Sequence, residues 1–136
     1  MSTETLSAGF LKYRETEIAD DLTLSGSART EGYRDAWNSF VNQLIGWGTC
    51  PHELEDDGIE APSVQVIQTA CELAMAMRDE SLVPPDHILT NGNGGIVFER
   101  KTGTTLKTIE IEPDGSIDLT IYKNGRLDSR GPFVTN

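Results

Sequence analysis

The sequence predicts an α+β protein with two helices packed on one face of a three- to four-stranded antiparallel meander. Apolar residues recur twice at helical spacing before residue 80, and the period drops to two beyond it. Pro84-Pro85 divides the two regimes, since neither proline can continue an intrahelical ladder.

The first helix is expected from about Arg29, with Tyr33, Trp37, Phe40, Val41, Leu44 and Ile45 on a single face. Thr30 is its expected N-cap. Glu31 and Asp35 sit near the positive end of the macrodipole, and Gly46 and Gly48 are expected to stop the helix around Trp47. A second helix is predicted over residues 63–79, where Val66, Ala70, Leu73, Ala74 and Met77 make one stripe that Ile67 and Cys71 widen. Pro62 suits the edge of its first turn.

Three half-buried strands follow. Ile96 and Phe98 alternate with Val97 and Glu99; Ile109 and Ile111 alternate with Thr108, Glu110 and Glu112; Ile117, Leu119 and Ile121 alternate with Asp118, Thr120 and Tyr122. Residues 101–104, Pro113-Asp114-Gly115 and Asn124-Gly125 read as hairpin turns, the last being the pair that a type I′ turn prefers. A short fourth strand is expected at 126–129, closed by Gly131-Pro132.

The domain organisation expected is an N-terminal arm over residues 1–28, partly ordered at best, and a single α+β domain over 29–136. Phe10, Leu11 and Tyr13 make the arm too apolar for a fully solvated tail, so it packs either on the domain or on another chain. At 136 residues the chain is long enough to bury one core without disulfides or metal. Cys71 lies within the second helical pattern, where a free thiol behaves as a small hydrophobe.

The formal charge is −11, and it is unevenly placed. Residues 1–90 carry 16 acidic and 5 basic side chains, whereas residues 91–136 carry 6 of each. Such a field repels phosphate backbones and anionic membrane surfaces and speeds encounter with a basic protein. Direct nucleic-acid binding and membrane association are therefore not expected. No apolar run is long enough to span a bilayer, and the N-terminus has no basic start followed by an apolar stretch, which predicts a soluble, cytoplasmic chain.

The run HELEDDGIEAPS, from His52 to Ser63, is the densest cluster of acids. Counted from Glu53, it places Glu55, Asp57 and Gly58 near the calcium-loop positions, but the closing bidentate glutamate is replaced by Val64. Like charges and an expected solvated setting also argue against general acid–base work there. Cys50, His52, Cys71 and His87 match zinc ligands by type and not by spacing, so both histidines read as loop residues. Asn91-Gly92-Asn93-Gly94-Gly95 leads into a strand rather than the helix that a phosphate cradle requires. No catalytic residue, metal site or cofactor is predicted.

What remains is the sheet face opposite Ile109, Ile111, Ile117 and Ile121. It carries Val97, Glu99, Thr108, Glu110, Glu112, Asp118, Thr120 and Tyr122. With helices over the other face this one lies open, either as an ordinary wet sheet face or as a docking surface for an Arg/Lys-rich protein. The partner-binding residues expected are Glu99, Glu110, Glu112 and Asp118, with Tyr122 as the anchor.

Trp47, Asp56-Asp57-Gly58-Ile59, Pro62-Ser63, Ala70, Ala74, Pro84-Pro85, Gly94-Gly95-Ile96-Val97-Phe98-Glu99, Glu110-Ile111 and Asp114-Gly115 occur in that order. The order resembles a group of small uncharacterised bacterial proteins in which a tryptophan and an Asp-Gly loop precede a helix, and a Gly-Gly-Ile-x-Phe/Leu-Glu strand opens a hairpin meander. The resemblance covers roughly residues 37–130 and implies the same α+β layout without adding site residues. The function expected is that of a small acidic interaction or accessory protein, antitoxin-like or immunity-like, bound to a basic partner. The alternatives are an enzyme or ligand-binding domain with a carboxylate pocket between the second helix and the sheet, using Glu99 or Glu110, and a self-associating structural unit.

Overall fold

A computed structural model describes residues 9, 12–14 and 26–133 of the chain. Helix α1 spans Gly26–Thr49, α2 His52–Glu55 and α3 Val64–Asp79. Strands β1 (His87–Thr90), β2 (Ile96–Thr102), β3 (Thr105–Ile111), β4 (Ile117–Lys123) and β5 (Arg126–Pro132) follow. They pair antiparallel in sequence order, β1-β2-β3-β4-β5.

α1 is longer than the periodicity indicates. It starts ahead of Thr30, which is therefore not its cap, and it runs through Gly46 and Gly48. Gly48 serves packing: a Cβ there would stand 3.3 Å from Cγ2 of Ile67, so its absence lets α1 approach α3, whereas a Cβ at Gly46 would meet nothing within 4 Å. The helix stops where Cys50 N–H bonds the Gly46 carbonyl at 2.9 Å and Pro51 follows without a donor.

The first residues of the acidic run are helical, not loop. One turn, α2, forms there, and Ile59 N–H returns to the Leu54 carbonyl at 3.1 Å. α3 begins as its sequence indicates, with Ser63 Oγ accepting from Val66 N–H at 3.2 Å. Ser63→Ala is expected to lower stability by about 1 kcal/mol, read as a fall in denaturation midpoint at constant m.

The sheet has five strands rather than three or four. β1 was hidden by its length: four residues, of which Ile88 alone is fully buried, are too few to show a period. The last strand also continues beyond residue 129, to Pro132. α3 lies on β2 and β3, and α1 packs along α3 and reaches the sheet through Trp37, whose ring meets Phe98 edge-on at 6.1 Å between centroids. The core between these layers holds Leu44, Val66, Leu73, Met77, Ile96, Ile109, Ile111, Leu119 and Ile121.

Part of the arm is docked on the domain. Residues 12–14 are helical, Tyr13 is 2 % exposed and its hydroxyl donates to the Val83 carbonyl at 2.5 Å. Phe10 and Leu11 lie outside the described residues. Lys107, on the core face of β3 and only 1 % exposed, places Nζ 4.0 Å from the Tyr13 ring centroid and 3.3 Å from the Tyr13 carbonyl oxygen. Among the described residues no helix is long and apolar enough to cross a membrane.

Candidate functional site

Strand register fixes which side chains share the face away from the helices. One row crosses the sheet through Leu89, Val97, Glu110, Asp118 and Pro132. The next runs through His87, Glu99, Thr108, Thr120 and Arg130, and a third through Lys101, Leu106, Tyr122 and Leu127. Alternation along each strand puts Ile88, Phe98, Ile109 and Leu119 on the opposite, helix-covered face. Glu99, Glu110, Asp118 and Tyr122 therefore do share one face, with Glu112 just past the end of β3.

They do not form one site, however. Glu110, Glu112 and Asp118 gather at one end of the sheet, while Tyr122 lies four residues along β4, about 13 Å away at the rise of a strand. Glu99 is in between and is engaged by His87, Nε2 to Oε1 2.7 Å, so His87 is a cross-strand partner rather than a loop residue.

The acidic end is held in place by its neighbours. Asn91 Oδ1 accepts from the backbone N–H groups of Asn93 and Gly95, both at 2.8 Å, and Asn91 Nδ2 donates to Glu110 Oε2 at 2.9 Å. Gly95 cannot be replaced without moving this device, because a Cβ there would meet Asn91 Nδ2 at 2.4 Å and the Ile111 carbonyl oxygen at 2.8 Å. Asp114 caps the following turn by accepting from Ser116 N–H at 2.9 Å and Ser116 Oγ at 2.8 Å, and the backbone bond first, then the hydroxyl, holds its carboxyl below the usual range.

Glu112 is perturbed in the other direction. Partial burial, then the charge and hydrogen bond of Glu110, then the charges of Asp118 and Asp114, push its carboxyl above the ordinary range. Among the described residues no ion pair joins Glu110, Glu112 or Asp118 to a base. The folded chain binds the Glu112 proton more tightly than the unfolded chain, so this group costs stability as pH rises from the unfolded to the folded pKa. Glu112→Gln is accordingly expected to melt above the parent at pH 7, with the two converging below about pH 4. A variant melting below the parent at pH 7 would show that the repulsion is absent.

At the other end of the face the β2–β3 and β4–β5 turns stand side by side, joined by Asn124 N–H to the Thr104 carbonyl at 2.9 Å. A hollow of about 460 Å³ opens between them, lined by Lys101, Gly103, Thr104, Leu106, Tyr122, Asn124 and Gly125. Leu127, 60 % exposed, is the cross-strand partner of Tyr122. Leu106 belongs to the same alternation as Thr108 and Glu110, which a period counted from Thr108 leaves out. Asn91, Lys101, Leu106 and Leu127 are among the residues at this face that sequence reasoning missed.

Among the described residues no group of three or more His, Cys, Asp or Glu is placed to hold an ion. Cys50 and Cys71 are both free, and burial followed by the charge of Glu72 raises the Cys71 thiol, which disfavours thiolate chemistry. Comparison with protein-family models, with curated proteins and with solved structures finds no match.

Proposed function

We propose that the chain is a small interaction protein whose open sheet face docks a basic segment of a protein partner at Glu110, Glu112 and Asp118, with Glu99 and Tyr122 extending the contact. One observation supports it above the rest: three carboxylates stand together, without a base, on a face that no described element covers, and burial first, then the neighbouring charges, raise the pKa of Glu112. Like charges held this close raise the free energy of the unbound chain. An arginine that forms charge-assisted hydrogen bonds with two of them relieves that repulsion as it binds. The net charge of −11 adds long-range attraction for such a partner. An antitoxin-like or immunity-like neutralising role is one form that this interaction takes.

The test is affinity capture from the native host with the parent chain, a Glu110→Gln/Glu112→Gln/Asp118→Asn variant and a Glu53→Gln/Glu55→Gln/Asp57→Asn variant of equal charge loss. A basic protein retained at low salt by the parent and the second variant, lost at high salt and lost with the first, is expected. Equal loss with both variants reduces the effect to net charge.

A ligand pocket between α3 and the sheet is less well supported, because Glu99 and Glu110 project to the face away from α3. Self-association has one observation in its favour: β5 is a seven-residue edge strand carrying exposed Leu127. Light scattering over a concentration series, repeated with Leu127→Lys, separates the two.

A further inference from the structure

We propose that the hollow between the two hairpin tips binds an apolar carboxylate, a ligand with a ring or short aliphatic body ending in one negative charge. The hollow's size, about 460 Å³, lies within the range of small-molecule sites. Its floor is the side chains of Leu106 and Tyr122, neighbours across β3 and β4, and its walls are turn backbone and small residues.

The charge at this place is opposite to that of the chain as a whole. Lys101 is the one ionised side chain among the lining residues, and no ion pair among the described residues engages its ammonium. Its backbone is fixed, with Lys101 N–H donating to Asp86 Oδ2 at 2.8 Å, while the other Asp86 oxygen is taken by Arg100 at 3.4 Å. Lys123 and Arg126 are register partners at the same end of the sheet, but they stand one residue off the Tyr122 row and so on the other face, and Lys123 meets Asp128 at 3.7 Å. Along the strands the open face is therefore polarised, with Glu110, Glu112 and Asp118 at one end and Lys101 at the other. An apolar body seated on Tyr122 and Leu106 puts its anionic end beside Lys101, the one charged side chain lining the hollow.

Two sources present this chemistry, a free small acid and the C-terminal residue of another protein. Backbone amide NMR titrations of the full chain with 3-phenylpropionate and its amide test the site itself. Saturable shifts confined to the 101–106 and 122–127 segments are expected, with a Kd on the order of 1 mM and the amide about two- to fivefold weaker. Lys101→Met should erase that difference while leaving weak binding of both, and Tyr122→Ala should abolish both. A tetrapeptide Ala-Ala-Ala-Phe, with its C-terminus free or amidated, distinguishes the sources: about tenfold tighter binding than phenylpropionate, again lost on amidation, points to a protein C-terminus, and equal or weaker binding to a small acid. Shifts that do not saturate by about 20 mM, or acid and amide binding alike, would overturn the proposal. Neither outcome bears on Glu110, Glu112 and Asp118, which do not line the hollow; Tyr122 alone is shared with the proposed docking contact.

Discussion

Trp37→Ala is expected to destabilise the fold by about 3–5 kcal/mol. Trp37 is completely buried where α1 meets the sheet, with its ring edge-on to Phe98 and its Nε1 donating to the Leu82 carbonyl at 2.8 Å. Truncation would remove the largest fully buried side chain of the core, the aromatic contact and the partner of a buried carbonyl together. The carbonyl belongs to the connection between α3 and the prolines, so the loss is also felt where the helical layer is tied to β1. Trp37→Phe keeps most of the volume and the ring contact and should cost about 1–3 kcal/mol, chiefly by leaving the Leu82 carbonyl without its donor. Denaturant midpoints of the two variants measure the difference, and a loss below about 1 kcal/mol for alanine would mean that α1 does not hold the sheet.

The second large effect concerns Tyr13 and Lys107. A lysine at a core-facing strand position is costly unless its ammonium is compensated, and here the Tyr13 ring and carbonyl oxygen lie against it. Tyr13→Ala should cost about 3–5 kcal/mol, because it removes a buried aromatic and weakens the setting of a buried charge in one step. Tyr13→Phe keeps the ring over the ammonium and gives up the hydroxyl bond to Val83, for about 1 kcal/mol. Lys107→Met changes the sign of the argument. Introduced into the Tyr13→Ala chain it should restore a substantial part of the lost stability, since no charge is then left to compensate. A double-mutant cycle by chemical denaturation reads the coupling, and additive losses would show that ring and ammonium do not interact.

This pair also marks where the sequence is legible and where it is not. Alternation identified β2, β3 and β4, and with them which carboxylates share a face, because a period of two leaves no freedom in that assignment, and the Asn124-Gly125 turn pointed to the start of β5. Helical spacing located α3 to within a residue, since Ser63 supplies a cap and one stripe is apolar throughout. Lys107 breaks the apolar pattern of its own strand, and the residue that compensates it is 94 positions away in an arm with no period of its own. Gly48 reads as a helix stop because local propensity favours that, whereas its contact with Ile67 is tertiary. The division of the open face into an acidic end and an apolar hollow depends on which turns lie side by side, and only the register of five strands decides it.

The charge arrangement on that face is tested most directly by titrating the side-chain carboxyl carbons of Glu110, Glu112 and Asp118 by NMR, with and without a hexa-arginine peptide. Glu112 is predicted to titrate above the ordinary carboxylate range in the free chain and to fall back when the peptide is added, as bound cations relieve the repulsion. Ordinary titration of Glu112, unchanged by the peptide, would contradict the account.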